Sequence, residues 1–297
     1  MAARDNRLGE YIASEVRKYA GVYVPGRVNP LMCQLRRSAR LKHVHPNPED
    51  EFCQPKVGPS YEIISEYEHQ FREARRHSHI YCDEPVIVQK IRPDGFMLLN
   101  GHHRWGAALR LGYKRIPIKL VNLTQETDIN KMLASSKHDK RVTLDLDEVV
   151  FSEKSGAPSD RALPFPLNRF YKERLRLGIP ALFHFLARNG YDIWVYSAAY
   201  YSMTYIRALL KRYRVGVSGI VTGTARKGSA DPEVRERVKD MFARKYKYTL
   251  HIDGSAVVQI LGEGRFKEFA LDGDMADWSR SVMDTVRKIE GEGKLKG

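Results

Sequence analysis

Apolar residues recur at helical spacing over residues 1–20, where Leu8, Tyr11, Ile12, Val16 and Tyr19 share one face. Prolines 46, 48, 55 and 59 then forbid long helices before the stretch "YEIISEYEHQFREARR", which reads as a helix opening at Ser60 or Tyr61. Next come a strand "PVIVQKI", a turn "PDG", a strand "FMLLN", a helix "HRWGAALRLG" and a strand "RIPIKLVN". Residues 123–139 read as a helical connection, and the first half is expected to end near Lys137–Lys140.

Beyond that point strand and helix patterns alternate. The strand patterns are "RVTLDLDEVVF", "DIWVYSA", "VSGIVTG" and "YTLHIDGS". The helix patterns between and after them are "GIPALFHFLARNG", "YSMTYIRALLKRY", "DPEVRERVKDMFARKY" and "MADWSRSVMDTVRKIE". Such alternation predicts a parallel sheet covered by helices. The expected organisation is an N-terminal helical segment (1–42), a first α+β domain (43–137) and a second, α/β domain (138–297).

Composition narrows the class without naming a function. A chain of 297 residues with 42% hydrophobic and 10% aromatic content is globular and long enough for two domains. No apolar run approaches the roughly 18–20 residues of a bilayer span, so no membrane role is expected. The charged N-terminus lacks an apolar signal core, and Cys33, Cys53 and Cys82 form no C-x-x-C pair; both fit a reducing cytoplasm. The net charge of +14 is spread over both halves, with "RRSARLK" (36–42) among the densest blocks. It suits either a solvated basic surface or one for phosphorylated or polyanionic ligands, nucleic acid included.

One strand carries carboxylates where apolar side chains belong. In "RVTLDLDEVVFS", Asp145 and Asp147 sit two apart, and burying both unpaired would cost several kcal/mol. Ligands bind beyond the carboxyl ends of parallel strands, so the pair is expected at that rim. Two acids there can hold Mg²⁺, attack phosphorus or move a proton; alternatively one caps a turn and the other pairs with an arginine. Other strand ends add chemistry. "DIWVYSA" ends in Ser197, "TGTARKG" supplies Lys227 and "YTLHIDGS" ends in Asp253.

That order of acid pair, hydroxyl, lysine and acid resembles the haloacid dehalogenase-like (HAD) superfamily of phosphatases and phosphotransferases, over about residues 140–290. The resemblance implies a Rossmannoid HAD-like parallel sheet. It makes Asp145 the nucleophile, Asp147 the general acid–base, and Ser197 and Lys227 the groups holding phosphoryl oxygens. It implies Mg²⁺ on Asp145 and Asp253 with a backbone carbonyl near Asp147. The family often has a further acid after the last one; here Gly254 and Ser255 follow Asp253. The gap between Asp147 and Ser197 has room for a modest irregular lid, so little or no cap is expected.

In the first half, "FMLLNGHHRWGAALRLG" places Gly101, His102, His103 and Arg104 at a strand-to-helix junction. Free N–H groups and the helix dipole favour anions there, and Arg104 with two imidazoles would complete a phosphate cradle. The histidines could equally be capping or surface residues. Together with "EPVIVQKIRPDG" and the alanines 107 and 108, the stretch resembles the ParB/sulfiredoxin superfamily over residues 43–123. His102 stands where sulfiredoxins carry cysteine, so sulfinic-acid reduction is not expected. The H-H-R version is similar to the small-molecule kinases of that superfamily, such as free-serine kinases. By that resemblance an acid in "VHPNPEDEF", Glu51 or its neighbours Glu49 and Asp50, would be the base.

The expectation is therefore a cytoplasmic, Mg²⁺-dependent phosphoryl-transfer protein. A HAD-type phosphatase would be fused to a ParB/sulfiredoxin-like domain that binds ATP, ADP or CTP and possesses, in one version, kinase activity. Its substrate would be a phosphorylated small molecule, phosphoprotein or nucleic-acid end. One rival is a nucleic-acid-binding or CTP-switch protein with a degenerate HAD half. Another is a free-amino-acid-type kinase with that half as its lid.

Overall fold

The computed structural model of the chain describes residues 2–35, 37–76, 84–224, 232–262, 264–271 and 276–294. Two compact units divide it between Leu123 and Thr124.

The first unit contains α1 (Ala2–Tyr19), β1 (Val24–Pro25), α2 (Pro30–Leu35), β2 (Ser38–Arg40) and β3 (Val44–His45). It continues with α3 (Tyr61–Arg76), β4 (Val86–Arg92), β5 (Phe96–Asn100), α4 (His102–Arg110) and β6 (Arg115–Val121). Its mixed sheet runs in the order β2-β6-β4-β5-β3, with β1 paired to β4. β4 lies parallel to β6 and antiparallel to β5, so the turn 93–95 reverses the chain and aims β5 at the start of α4. The core gathers Leu8 and Ile12 of α1 with Ile64, Leu98 and Trp105. The N-terminal helix is thus part of this unit's core, as its apolar face requires, rather than a segment apart. Trp105 is fully buried, and its indole N–H donates to the Val44 carbonyl at 3.1 Å, fixing α4 against the β3 strand.

The second unit begins with α5 (Glu126–Ser135) and β7 (Lys140–Asp145), followed by one turn of π-helix (Leu146–Val150) and α6 (Ser152–Ser155). Then come α7 (Ile179–Arg188), β8 (Tyr191–Ser197), α8 (Met203–Arg212), β9 (Gly219–Thr222) and α9 (Pro232–Lys245). β10 (Tyr248–Ile252), β11 (Ala256–Gly262), β12 (Arg265–Ala270) and α10 (Trp278–Lys294) close the chain. The sheet order is β12-β11-β10-β7-β8-β9. The four central strands β10, β7, β8 and β9 are mutually parallel, as the alternating pattern predicts.

Alternation along the strands gives this sheet two apolar faces. Val142, Leu144, Ile193, Val195 and Ile252 pack with α7, α8 and α10, while Trp194 on the opposite face meets Ile129, Met132 and Phe242. α5 therefore belongs to the second unit, and the sequence boundary at Lys137–Lys140 falls after an element that the compact unit already includes. The antiparallel hairpin β11–β12 at the sheet edge is an addition to the expected parallel sheet. Its outer strand is mostly exposed, so it lacks the apolar alternation that announces a strand. Residues 156–178, where a modest irregular lid is expected, contain a short 3₁₀ turn and take part in two isolated bridges, Phe151–Leu175 and Ser159–Arg176.

Candidate functional site

In the second unit the acids stand at the carboxyl ends of adjacent parallel strands. Asp145 ends β7, and its Oδ1 accepts the backbone N–H groups of Asp147 (2.7 Å) and Glu148 (2.9 Å). This is an N-cap: the carboxylate satisfies donors that the following turn leaves open. Asp147 is buried, and its Oδ2 accepts the Ser197 hydroxyl at 2.6 Å. Ser197 Oγ in turn accepts the Ala199 N–H at 3.0 Å, so the hydroxyl is held from both sides at the end of β8. Tyr201 also hydrogen-bonds Asp147; burial first, and then the Asp147 charge, push its phenol well above the usual range.

Asp253 follows β10. The register pairs Ile252 with Leu144, so one further step sets Asp253 beside Asp145 on the same sheet face. Its Oδ1 accepts the N–H groups of Ser255 (2.7 Å) and Ala256 (2.6 Å) and the Ser255 hydroxyl (3.1 Å). Burial alone would raise this carboxyl, but those hydrogen bonds and nearby His251 outweigh it and hold the group below the usual carboxylate range. Asp145, Asp147, Ser197 and Asp253 thus converge on one rim. Lys227 lies outside the described residues. Among the described residues no group of three or more His, Cys, Asp or Glu side chains gathers around a point where a metal could sit.

In the first unit β5 passes into α4 through Gly101, whose φ of 91° lies in the left-handed region. A Cβ there would stand 2.8 Å from Val86 Cγ1, so both backbone shape and space require glycine. His102 Nε2 accepts the Asn47 N–H at 3.4 Å, and His103 Nε2 accepts the Ser60 N–H at 3.2 Å. Both rings pack on Phe52, at centroid distances of 5.5 and 5.1 Å. The two imidazoles therefore pin the proline-containing loop to the helix start. Burial lowers the His102 pKa to about 4, reinforced by His103 and opposed by Asp50, whose carboxylate lies 3.6 Å from Nδ1. His103 is lowered by burial as well.

Arg104 is also turned inward. Its guanidinium donates to the Glu84 carbonyl at 2.8 Å, pairs with the Glu84 carboxylate at 2.8 Å and lies 5.8 Å from the Tyr67 ring centroid. Of the three acids proposed as a base, Asp50 caps the turn Glu51–Cys53 and faces His102, while Glu51 is exposed at that turn's first position.

Residues 39–137 match the family model of the ParB N-terminal domain. The matched segment, about a third of the chain, is ParB-like. Over 112 residues the chain is 30% identical to an ATP-dependent L-serine kinase of Staphylothermus marinus, covering 33% of this chain and 43% of that protein. The chain thus spans less than half the length of this relative. Among solved structures, the C-terminally truncated chromosome-partitioning protein ParB from Caulobacter crescentus, complexed to the centromeric parS site, is 21% identical. It covers 35% of this chain and 50% of that one at a TM-score of 0.22, too low to carry a structural argument.

In the ParB-type domain, neutral histidines whose Nε2 atoms already accept backbone protons add no positive charge at neutral pH. An anion placed there would meet the N–H groups and dipole of the α4 start instead. Sequence reasoning missed Tyr201, four residues beyond Ser197 in "SAAYY", and the loop acceptors' partners Asn47 and Ser60. A hydroxyl just past a strand end was the available signal for Tyr201; nothing in the sequence marks a backbone N–H as a histidine's partner.

Proposed function

We propose that the protein is a Mg²⁺-dependent phosphotransferase whose second unit is a HAD-like phosphatase working through Asp145. The observation that supports this reading is the meeting of Asp145, Asp253 and the Asp147–Ser197 pair at neighbouring parallel strand ends. The Asp145 carboxylate attacks the phosphorus of a phosphate monoester, forming an aspartyl-phosphate while the P–O bond to the leaving group breaks. Asp147 gives its proton to the departing oxygen, then takes one from the water that hydrolyses the acyl phosphate. Ser197 positions Asp147 through the 2.6 Å bond, and its one hydroxyl proton would have to turn from Asp147 to hold a phosphoryl oxygen. Lys227 is proposed as the cation beside the same oxygens. The lid region 156–178, with so little regular structure, leaves room for a bulky phosphorylated substrate.

The residues fit a magnesium ion. The donors are oxygens only, with two carboxylates at adjacent register positions and Asp253 held ionised. Mg²⁺ characteristically takes one or two carboxylates and completes its shell with water and substrate phosphate. Asp145, Asp253 and a backbone carbonyl near Asp147 would hold it, and it would neutralise charge on the transferring phosphoryl group.

A second reading assigns kinase activity to the ParB-type domain, favoured by its likeness to the serine kinase. ATP would lie with its phosphates at the Gly101–Arg104 helix start. Asp50 or Glu51 would accept the proton of an amino-acid hydroxyl such as that of L-serine. One pair of assays separates the readings. Phosphate release from an aryl phosphate that vanishes in Asp145→Asn supports the phosphatase, while release persisting in that variant sinks it. Serine-dependent ADP formation lost in Asp50→Asn or Glu51→Gln, yet retained in Asp145→Asn, supports the kinase.

A further inference from the structure

The ParB-type domain and the helix before it carry a second concave feature at the opposite end of α4 from Gly101. Nine helical residues separate the two, about 14 Å along the axis. It is a cleft of roughly 990 Å³ formed by α1, the β2–β3 segment and the passage from α4 into β6. Arg7, Arg40, Lys42, Arg110, Lys114 and Arg115 line it, and among the described residues its lining contains no Asp or Glu. The Arg110 charge is answered by Glu68 at 2.9 Å. Among the described residues Arg115 bonds Ser38, a neutral partner, with its hydroxyl at 2.7 Å. Arg7, Arg40, Lys42 and Lys114 are exposed. The basic block at residues 36–42, diffuse in the sequence, thus contributes two of its cations to one wall.

The floor is different. Leu8 and Leu41 are buried in it, and Tyr11 and Tyr113, both half-buried, line it. Tyr11 is braced by Trp105 at 6.1 Å and Tyr113 by Phe71 at 5.7 Å, so both rings are held by the core rather than free to swing. Five cations without an acidic partner among the described residues, set over braced aromatic rings, answer two features at once, a chain of phosphates and flat bases. A mononucleotide would leave most of the cations without a phosphate. A duplex keeps its bases stacked inside and would leave the tyrosines without a partner.

We propose that this cleft binds single-stranded nucleic acid, with phosphates along Arg7, Arg40, Lys42, Lys114 and Arg115 and bases stacked on Tyr11 and Tyr113. The site is independent of the phosphotransfer reading, since none of its residues belongs to either candidate site above. Bases read only by their faces make the binding tolerant of sequence.

The test is fluorescence anisotropy with the full chain and labelled oligothymidylate or oligouridylate of roughly 12 nucleotides. Wild type should bind at about 50 mM salt and weaken with a log–log slope near −3.5, the value for about five neutralised phosphates on a single strand. Arg40→Glu with Lys114→Glu should weaken binding at least about tenfold and flatten the slope by about 1.4. Both side chains are exposed, so circular dichroism should match wild type; if the double variant does not fold, Arg40→Ala and Lys114→Ala serve singly, each flattening the slope by about 0.7. Tyr113→Leu should weaken binding roughly fivefold or more with the slope unchanged. Tighter binding of only one oligomer identifies DNA or RNA as the source. The proposal is overturned by no binding at low salt, by indifference to the charge reversals or by equal affinity for a duplex. Indifference to Tyr113→Leu overturns it too, leaving a general polyanion surface, as does displacement of the oligomer by ATP below millimolar concentration.

Discussion

At the start of α4 the motif side chains direct their polar atoms into the ParB-type domain itself: His102 and His103 take loop N–H groups and Arg104 takes Glu84. At the end of β7 the arrangement is opposite. Each acid uses one oxygen to bind its own turn or a neighbouring hydroxyl, and the set lies at neighbouring ends of parallel strands. A histidine or arginine in a motif is thus no guide to which way it faces. What separates the cases is the element. A helix start must hold its own loop in place, whereas a parallel strand end stops at the rim and leaves its last side chain there.

The contrast is broken most sharply by removing one charge from the rim. Asp145→Asn retains an oxygen to accept the Asp147 and Glu148 N–H groups, so the thermal midpoint should stay near wild type. Phosphate release should fall on the order of 10⁴-fold or more, because the amide cannot form the acyl phosphate. Residual release above about one per cent of wild type would refute Asp145 as nucleophile.

In the ParB-type domain the largest effect should be on stability. His102 has a folded pKa of about 4 against an ordinary value of 6.5, so between these the unfolded chain binds more protons. Its contribution is complete above about pH 6.5 and is lost as pH falls toward 4, up to about 3 kcal/mol in all. His45 and His103, lowered by burial too, act in the same direction. Urea titrations of the wild type across this range should show the slope, and His102→Gln, which keeps an acceptor for Asn47, should flatten it. Equal slopes in both proteins would remove His102 from the account.

A smaller effect compares two glycines. Gly101→Ala forces φ of 91° and a contact of 2.8 Å with Val86, and should cost about 1–3 kcal/mol. Gly254, beside Asp253, has nothing within 4 Å of an added Cβ, so Gly254→Ala should change stability by no more than about 0.5 kcal/mol. Chemical denaturation of the two variants gives both numbers, and a reversed order would mean that the β5–α4 junction relaxes freely.

Most regular elements were legible because their periodicity was strong. α3 spans the residues its pattern marked, and β7, β8, β9 and β10 lie parallel as strand–helix alternation requires. What failed were features set by tertiary contact. β12 is exposed on almost every residue and exists only because β11 offers an edge. The family match ends at residue 137, near the expected boundary, whereas the compact units divide at Leu123–Thr124 because α5 buries Ile129, Met132 and Leu133 against Trp194, a pairing that no local pattern reveals. The site shows the same division. Asp145, Asp147, Ser197 and Asp253 were visible as acids and a hydroxyl at strand ends, while the inward turn of Arg104 depended on Glu84, twenty residues away.

The smallest effect tests whether Ser255 substitutes for the acid absent after Asp253. Its hydroxyl reaches Asp253 Oδ1 at 3.1 Å, the longest of three hydrogen bonds on that oxygen. Ser255→Ala removes it but leaves both backbone N–H groups in place, so the Asp253 carboxyl should rise only slightly and remain ionised at neutral pH. A single side-chain hydrogen bond contributes about 1 kcal/mol, which corresponds to no more than about a fivefold rise in half-saturating Mg²⁺. If the hydroxyl only steadies Asp253, the maximal rate at saturating Mg²⁺ will be unchanged. A loss of maximal rate approaching that of Asp145→Asn would instead make Ser255 a direct participant, and the rim would then work with a hydroxyl in place of a further carboxylate.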